Sequence, residues 1–297
     1  MRKLFLIALA LTLLSCEMEK QEGKVVFISV AIDYNSPDGA NALENPPEDQ
    51  RVLSSQIEAL ATASGDIYEE YLFLEKNGKR SINGKEYKWN HDDVLSVLYS
   101  LDTISRDLII FHYSGHGDEN GALVTDIDTS IRLSPETLLS AMSAADGRKC
   151  LFLDSCYSGT FIDDPGYMHN GEKFNNGKLD SDNLLNAVVP SIMLLFRPVS
   201  GNDGIWVLSA ASDSQSSFDS WDAGEPDQSS FGAFSYYLAA ALGYDMETGS
   251  ATVPGRGGEI TFYGIYQEIR RRMPGDLWKE ATPQITLIHY DPVLFSF

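Results

Sequence analysis

The chain has 297 residues, and 22 Lys and Arg stand against 43 Asp and Glu, which gives a formal net charge of −21. About 43% of the residues are hydrophobic, so the chain can bury a sizeable core, and wholesale disorder is excluded. The acidity argues against nucleic acid and anionic membrane surfaces as partners, and it leaves solubility or basic partners as its explanation.

The first segment is typical of an export signal. Two basic residues precede an apolar run, Leu4 to Leu14, that is too short to span a bilayer. The run ends at Ser15 and Cys16, which resembles a bacterial lipoprotein signal. That resemblance implies cleavage of residues 1–15, lipidation of Cys16, and export to the cell envelope, in the periplasm or on the cell surface. The membrane would be contacted through the lipid anchor only. An ordinary secretory peptide with an incidental cysteine is the alternative.

After a predicted tether at 16–24, strand-like and helix-like patterns alternate. Short apolar runs predict strands at 25–32, 66–74, 107–113, 149–153 and 204–211. Helical patterns are found at 48–63, 134–144, 231–242 and 259–272, and after a cap at Asn90. We assign 76–88 to a polar turn region. The alternation indicates an α/β fold with a mainly parallel sheet and helices on both faces, in one domain over 25–297.

The stretch from 161 to 202 interrupts this rhythm. It begins with many Asp, Asn and Gly residues and continues into an apolar patch. Long segments of this kind in compact domains are usually functional loops or insertions. Because strand-like sequence resumes at Gly204, we interpret 161–202 as an insertion within the domain.

Two of the predicted strands end in residues that can carry chemistry. The strand at 107–113 leads into Ser114-Gly115-His116-Gly117, and the strand at 149–153 leads into Asp154-Ser155-Cys156. Ligands bind at the carboxyl ends of strands in an open parallel sheet, so His116 and Cys156 are expected to meet there. A nearby imidazole makes a thiol a better nucleophile at neutral pH.

Four segments resemble the caspase–metacaspase family of cysteine peptidases. They occur in the family's order along 25–290, and they are Ser114–Gly117, Asp154–Gly159, Ser209–Ser217 and Gly232–Leu238. The segment around the cysteine is closer to metacaspases than to caspases. The resemblance implies a caspase-like three-layer sandwich, in which a sheet of about six mostly parallel strands is flanked by helices. It also implies that 161–202 is a loop at which family members are often cut.

The resemblance implies roles for individual residues. Cys156 would be the nucleophile and His116 the general acid and base, and the backbone amides of Gly117 and Cys156 would form the oxyanion hole. The chain is accordingly expected to be a cysteine endopeptidase acting on proteins or peptides.

The resemblance also implies the specificity. Asp154 would line the pocket for a basic residue before the cut, with Asp213 as a second candidate and Ser114 nearby. We therefore expect cleavage after Arg or Lys in basic substrates. The rivals are a peptidase with Asp specificity, and a catalytically silent lipoprotein that uses the fold as a binding module.

No cofactor is required by this chemistry, and no metal site is predicted. His112 and His116 are four residues apart, but they lie on a strand and its following loop and not on a helix. Some metacaspases depend on calcium, so the resemblance makes Asp126, Asp128, Asp163 and Asp164 candidate calcium ligands. The chain lacks a twelve-residue calcium loop, so a solvated acidic rim is the default interpretation of these residues.

Overall fold

The computed structural model describes residues 22–35, 42–125, 132–162, 204–220, 230–286 and 291–297. The predicted signal at 1–15, the candidate lipidation site Cys16, most of the 161–202 insertion and the four candidate calcium ligands lie outside these residues. Within the described ranges, no helix has both the length and the apolar character needed to cross a membrane.

The strands form one large sheet and two small ones. In chain order they are β1 (Lys24–Ile32), β2 (Ile67–Lys76), β3 (Lys79–Ile82), β4 (Lys85–Glu86), β5 (Leu108–Ser114), β6 (Leu123–Val124), β7 (Arg132–Leu133), β8 (Arg148–Asp154), β9 (Ile205–Ser209), β10 (Glu259–Thr261), β11 (Gln284–Ile285) and β12 (Val293–Ser296). The large sheet has the order β11-β9-β8-β5-β1-β2-β3-β4. Its five central strands are parallel, and β11, β3 and β4 pair antiparallel at the edges. The predicted α/β class and mainly parallel sheet are confirmed.

Within the described ranges, six helices and one 3₁₀ turn (Ser158–Phe161) connect the strands. The helices are α1 (Pro46–Ser64), α2 (His91–Ser100), α3 (Pro135–Ala144), α4 (Ala233–Ala241), α5 (Phe262–Arg272) and α6 (Gly275–Glu280). Asn90 caps α2 through a capping box with Asp93, as the sequence predicts. Gly65, with a φ of 74°, ends α1 in the left-handed conformation that glycine adopts readily.

The sheet is buried on both faces, so the molecule has three layers. One core packs α1, α4, α5 and α6 against the side chains that include Phe27, Ile110 and Phe152. The opposite core packs α2 and α3 against the alternate side chains, such as Ile28 and Phe111. This double burial explains why β1, β5 and β8 are nearly continuous apolar runs.

Two assignments made from the sequence are wrong. The region at 76–88 is not a turn region alone, because β3 and β4 extend the sheet from about six strands to eight. Each of the two hairpin turns is an Asn-Gly pair with positive φ at both residues, 77–78 and 83–84, which is a strong hairpin signal. The predicted helix at 259–272 begins as strand β10 and becomes helical only after the cap at Thr261.

Candidate active site

The two polar loops meet where β5 and β8 end. These strands are parallel neighbours, and Ser114 lies opposite Asp154 in their register. A pocket opens beyond this edge, and it is lined by Leu43, Pro46, Ser114, Gly115, His116, Asp154, Ser155, Cys156, Ser217, Phe218, Asp219 and Gly232. Both His116 and Cys156 line it, as the strand-end argument predicts.

The loop after β5 is held through the peptide groups of His116. Its N–H donates to the Tyr34 hydroxyl at 3.0 Å, and its carbonyl accepts from the Tyr113 hydroxyl at 2.7 Å. The imidazole lies against the Tyr34 ring, with the ring centroids 4.5 Å apart. The side chain is half-buried, so it can contact both the protein and a ligand.

The loop after β8 presents Cys156 on a sharp turn. Tyr157, the next residue, has a φ of 56°, which is uncommon for a residue with a bulky side chain. Its N–H donates to the carbonyl of Gln215 at 2.8 Å, and this bond ties the turn to the segment after β9. The Cys156 thiol is half-buried and donates to the carbonyl of Ser217 at 3.8 Å.

The two loops touch through their backbones at Gly117. A Cβ at this position would collide with the carbonyl oxygen of Cys156, so only glycine fits. Among the described residues, no hydrogen bond takes up the N–H of Gly117 or of Cys156. N–H groups without a protein acceptor can stabilise a negatively charged oxygen when they point to it together.

Asp154 is buried at the base of the pocket and fully hydrogen-bonded. Its Oδ1 accepts from the Ser217 hydroxyl at 2.7 Å. Its Oδ2 accepts from the backbone N–H and the hydroxyl of Ser235, at 3.0 and 2.8 Å. Ser235 lies in the first turn of α4, where free N–H groups favour a carboxylate.

A second buried carboxylate, Asp49 from the first turn of α1, lies beside Asp154. It accepts from the Ser114 hydroxyl at 2.7 Å and from the N–H of Gly232 at 2.9 Å. A Cβ at Gly232 would lie 2.5 Å from Asp154 Oδ2 and 2.7 Å from Asp49 Oδ2. The two oxygens are therefore no more than about 5 Å apart, and each disfavours the ionised form of the other.

A third carboxylate, Asp219, lines the pocket on the segment after β9. Its two oxygens accept from the N–H groups of Glu44 and Asn45, at 2.9 and 3.3 Å. These bonds tie that segment to the entrance of α1.

Burial raises the pKa of all three carboxyl groups. The pKa of Asp154 is raised to about 6, although the hydrogen bonds from Ser217 and Ser235 act in the opposite direction. Burial, with the charge of Asp154 as the next cause, raises the pKa of Asp49 well above its usual value. Within the described residues, no Lys or Arg forms an ion pair with any of the three.

Most of the site residues predicted from the sequence lie together at the pocket, and one of them, Asp213, does not. Ser114, His116, Asp154 and Cys156 line the pocket, and Gly117 contacts Cys156. Asp213 does not line the pocket: it is exposed, and its backbone N–H group lies against Gly159 instead. This placement does not fit its candidacy as a specificity residue.

Two carboxylates were not predicted from the sequence: Asp219, which lines the pocket, and Asp49, which is buried beside Asp154. Asp49 has the sequence context of an ordinary acidic residue in a first helical turn, so its position gives no local signal. Asp219 lies just beyond the third family-like segment. Elsewhere in the described ranges, no group of three or more His, Cys, Asp or Glu is arranged to hold a metal ion, and these three carboxylates form no such group either.

Comparisons with known proteins complete the description of the site. The family profile described as the caspase domain, of peptidase family C14, matches residues 82–287. Among solved structures, the chain is similar to the crystal structure of protein GSU0716 from Geobacter sulfurreducens, with 18% identity and a TM-score of 0.49. That similarity covers 91% of this chain and 95% of the other. The search of curated proteins found no match.

Proposed function

The chain belongs to the caspase-domain family of cysteine peptidases, and from that premise we propose that it is an endopeptidase that cuts after arginine or lysine. The observation that carries the proposal is the pocket itself. Its lining includes His116, Cys156, Asp154 and Asp219. The buried Asp49 lies next to Asp154 and accepts from the Ser114 hydroxyl, and Ser114 also lines the pocket.

In the proposed reaction, Cys156 loses its proton to His116 and the thiolate attacks the scissile carbonyl carbon. The carbonyl π electrons move onto oxygen, and the N–H groups of Gly117 and Cys156 bind the oxyanion that results. The carbonyl then re-forms, the C–N bond breaks, and His116 donates its proton to the leaving amine. Water hydrolyses the remaining thioester, with His116 now acting as base.

The carboxylates account for the proposed specificity. Asp49 and Asp154 are buried next to each other, and neither forms an ion pair with a Lys or Arg of the described residues. A guanidinium or ammonium group would neutralise this pair and favour its ionised form, whereas an acidic side chain would be repelled. This argument disfavours the rival specificity for Asp.

The test is a panel of fluorogenic peptides that differ only in the residue before the cut. Arg and its uncharged isostere citrulline form one matched pair, and Asp and Asn form a second. We expect Arg to exceed citrulline by about 100-fold in kcat/KM, since a desolvated ion pair contributes about 2–3 kcal/mol. Equal rates for Arg and citrulline would contradict the proposed pocket, and preference for Asp would replace it.

Two variants separate the peptidase from the silent binding module. Cys156→Ala removes the nucleophile and should abolish turnover, whereas Cys150→Ala removes a buried thiol of strand β8 and should retain turnover. Absence of turnover in the wild-type chain and in both variants, with native folding, would favour the binding module.

We also propose that the reaction requires no cofactor, because a thiol, an imidazole and two amides supply each step. Activity is then expected to persist in a chelator, with calcium causing at most a modest change. A strict requirement for calcium would contradict this and would direct attention to the acidic residues at 126, 128, 163 and 164.

We propose in addition that the protein is exported and anchored by lipid at Cys16. Expression with a radiolabelled fatty acid should label the wild-type chain, and Cys16→Ser should abolish the label. Secretion of an unlabelled chain cleaved near residue 15 would support the ordinary signal peptide instead.

A further inference from the structure

A buried tyrosine, Tyr34, contacts His116 from a strained turn. It follows the end of β1 and has a φ of 52°, a left-handed conformation that costs a non-glycine residue about 1 kcal/mol or more. The preceding Asp33 is 4% exposed, and its carboxylate accepts from the N–H groups of Asn35 and Asn77, at 3.0 and 2.7 Å. The turn is therefore fixed by the structure around it.

The result of this turn is a close packing of Tyr34 on His116. The two rings have their centroids 4.5 Å apart and are tilted by 34°. The Tyr34 hydroxyl also accepts from the His116 N–H at 3.0 Å. A single side chain thus contacts both the backbone and the imidazole of His116.

The hydroxyls of Tyr34 and Tyr113 lie 2.9 Å apart, and both lie within hydrogen-bond distance of the carbonyl of Val124. The Tyr113 hydroxyl also lies 2.7 Å from the carbonyl of His116. Whichever of these groups takes the Tyr34 proton, the Tyr34 oxygen can still accept from the His116 N–H. Gly115 leaves room for the two hydroxyls, since a Cβ there would lie 2.8 Å from that of Tyr34 and 2.7 Å from that of Tyr113.

We propose that Tyr34 is the positioning residue of the His116 imidazole, and that the face of its ring stabilises the imidazolium formed during the reaction. This proposal rests on the proposed function, in which His116 is the acid and base. A ring face carries negative charge density and attracts a cation placed over it. Burial raises the pKa of the Tyr34 phenol, so the ring is the neutral phenol and not the phenolate.

Other charged groups also act on His116, and the test must hold them constant. Those lining the pocket are Asp154 at the end of β8, Cys156 after β8 and Asp219 after β9, and Asp49 on α1 lies beside Asp154. Those near Tyr34 are Glu75 and Arg80. Substitutions at position 34 leave all of these groups in place.

The direct test is an NMR titration of the His116 ring in the full chain carrying Cys156→Ala. This background removes the thiol, and the signal is assigned by its loss in His116→Ala. Tyr34→Leu removes the ring face, so the His116 ring should become harder to protonate and its titration should move to lower pH. Tyr34→Phe keeps the ring and should leave the titration as it is in the parent chain.

The kinetic test uses chains that retain Cys156. Tyr34→Phe leaves the His116 N–H without its acceptor, and kcat should fall about tenfold with KM changed less than about twofold. The matched control is Tyr113→Phe, which removes the neighbouring hydroxyl but leaves the His116 carbonyl its bond from the Val124 N–H. That variant should lose no more than about threefold in kcat.

An unmoved His116 pKa in Tyr34→Leu, or equal kinetic losses in Tyr34→Phe and Tyr113→Phe, would overturn the proposal. If Tyr34→Leu does not fold, 3,4,5-trifluorophenylalanine is compared with phenylalanine at position 34, because the two have similar shape but the fluorinated face is less negative. The titration needs no turnover, so a failed peptidase and a failed role for Tyr34 give different results.

Discussion

Strand β5 and the loop after it each contain a histidine, and strand β8 and the loop after it each contain a cysteine. Inside the sheet lie His112 and Cys150, both fully buried, and beyond the strand ends lie His116 and Cys156, both half-buried at the pocket. The interior pair is packed among the apolar side chains of the sheet, and the outer pair is held by backbone groups of the loops. Residue type alone therefore does not show which histidine and which cysteine form the candidate dyad.

Burial makes the interior pair inert. It lowers the pKa of His112 to about 3, so this imidazole stays neutral at physiological pH. It raises the pKa of the Cys150 thiol, so no thiolate is available there. His116 lies four positions after His112, and Cys156 lies six positions after Cys150. Both are only half-buried, because each strand has ended before them.

The sharpest contrast should be in thiol reactivity. In the native chain, iodoacetamide should alkylate Cys156 at least about a thousandfold faster than Cys150, since the buried thiol reacts only when the core opens. The rates are read on the separate peptides by mass spectrometry, with a denatured sample as control. Comparable rates in the native chain would remove the distinction between the two cysteines.

The contact between the two loops should be the next most sensitive feature. Gly117→Ala places a Cβ against the Cys156 carbonyl, which forces the two N–H groups apart, and kcat/KM should fall about 100-fold. Gly255→Ala is the matched control, because a Cβ there meets nothing within 4 Å. Near-normal activity in Gly117→Ala would show that these amides do not bind the oxyanion.

The sequence was sufficient to predict the buried strands and the polar loops that follow them, but not the carboxylate that packs beside Asp154. Apolar runs locate β1, β5, β8 and β9, and the polar segments after them locate the two loops. Asp49 lies 105 positions before Asp154 and outside the span of the family match. Only the packing of α1 against the sheet brings these residues together, and no local pattern records it.

Tyr34 illustrates the same limit. Its role depends on a left-handed φ and on contacts with residues 79 to 90 positions away along the chain. A tyrosine in a loop rich in Asn, Asp and Gly gives no sign of either. The antiparallel hairpins of β3 and β4 differ, because their Asn-Gly turns are local signals that the polar-turn assignment overlooked.

The carboxylate pair should show opposite effects on activity and on stability. Asp49→Asn removes one charge from the pocket, so kcat/KM for Arg substrates should fall about 30-fold. Asp213→Asn, at the exposed site, should change it less than about twofold. An equal loss in both variants would contradict the placement of the pocket.

The stability of Asp49→Asn follows from the sign of the pKa shift. In the wild-type chain the folded pKa of Asp49 is raised, so the folded state binds more protons, and stability is lost as the pH rises from about 4 through that pKa. The variant should be more stable than wild type at pH 8, and the difference should shrink as the pH falls toward 4. Urea unfolding at the two pH values measures this, and a less stable variant at pH 8 would contradict it.

A small effect on activity is also expected at His112, although this residue lies on β5, just before the loop that carries His116. Its Nδ1 is 2.8 Å from the Ser29 hydroxyl, and its Nε2 is buried without a partner among the described residues. His112→Asn can keep the Ser29 bond, so kcat/KM should stay within about threefold of wild type, whereas His116→Asn should be inactive.

Burial lowers the pKa of His112 to about 3, so the stability that the neutral His112 contributes is fully present above pH about 6.5 and is lost as the pH falls toward about 3. The variant should lose less stability over that window, measured by urea unfolding at pH 7 and pH 4.5. A large loss of activity with an unchanged acid dependence would mean that His112 serves the pocket, and the separation between the interior and outer pairs would no longer hold.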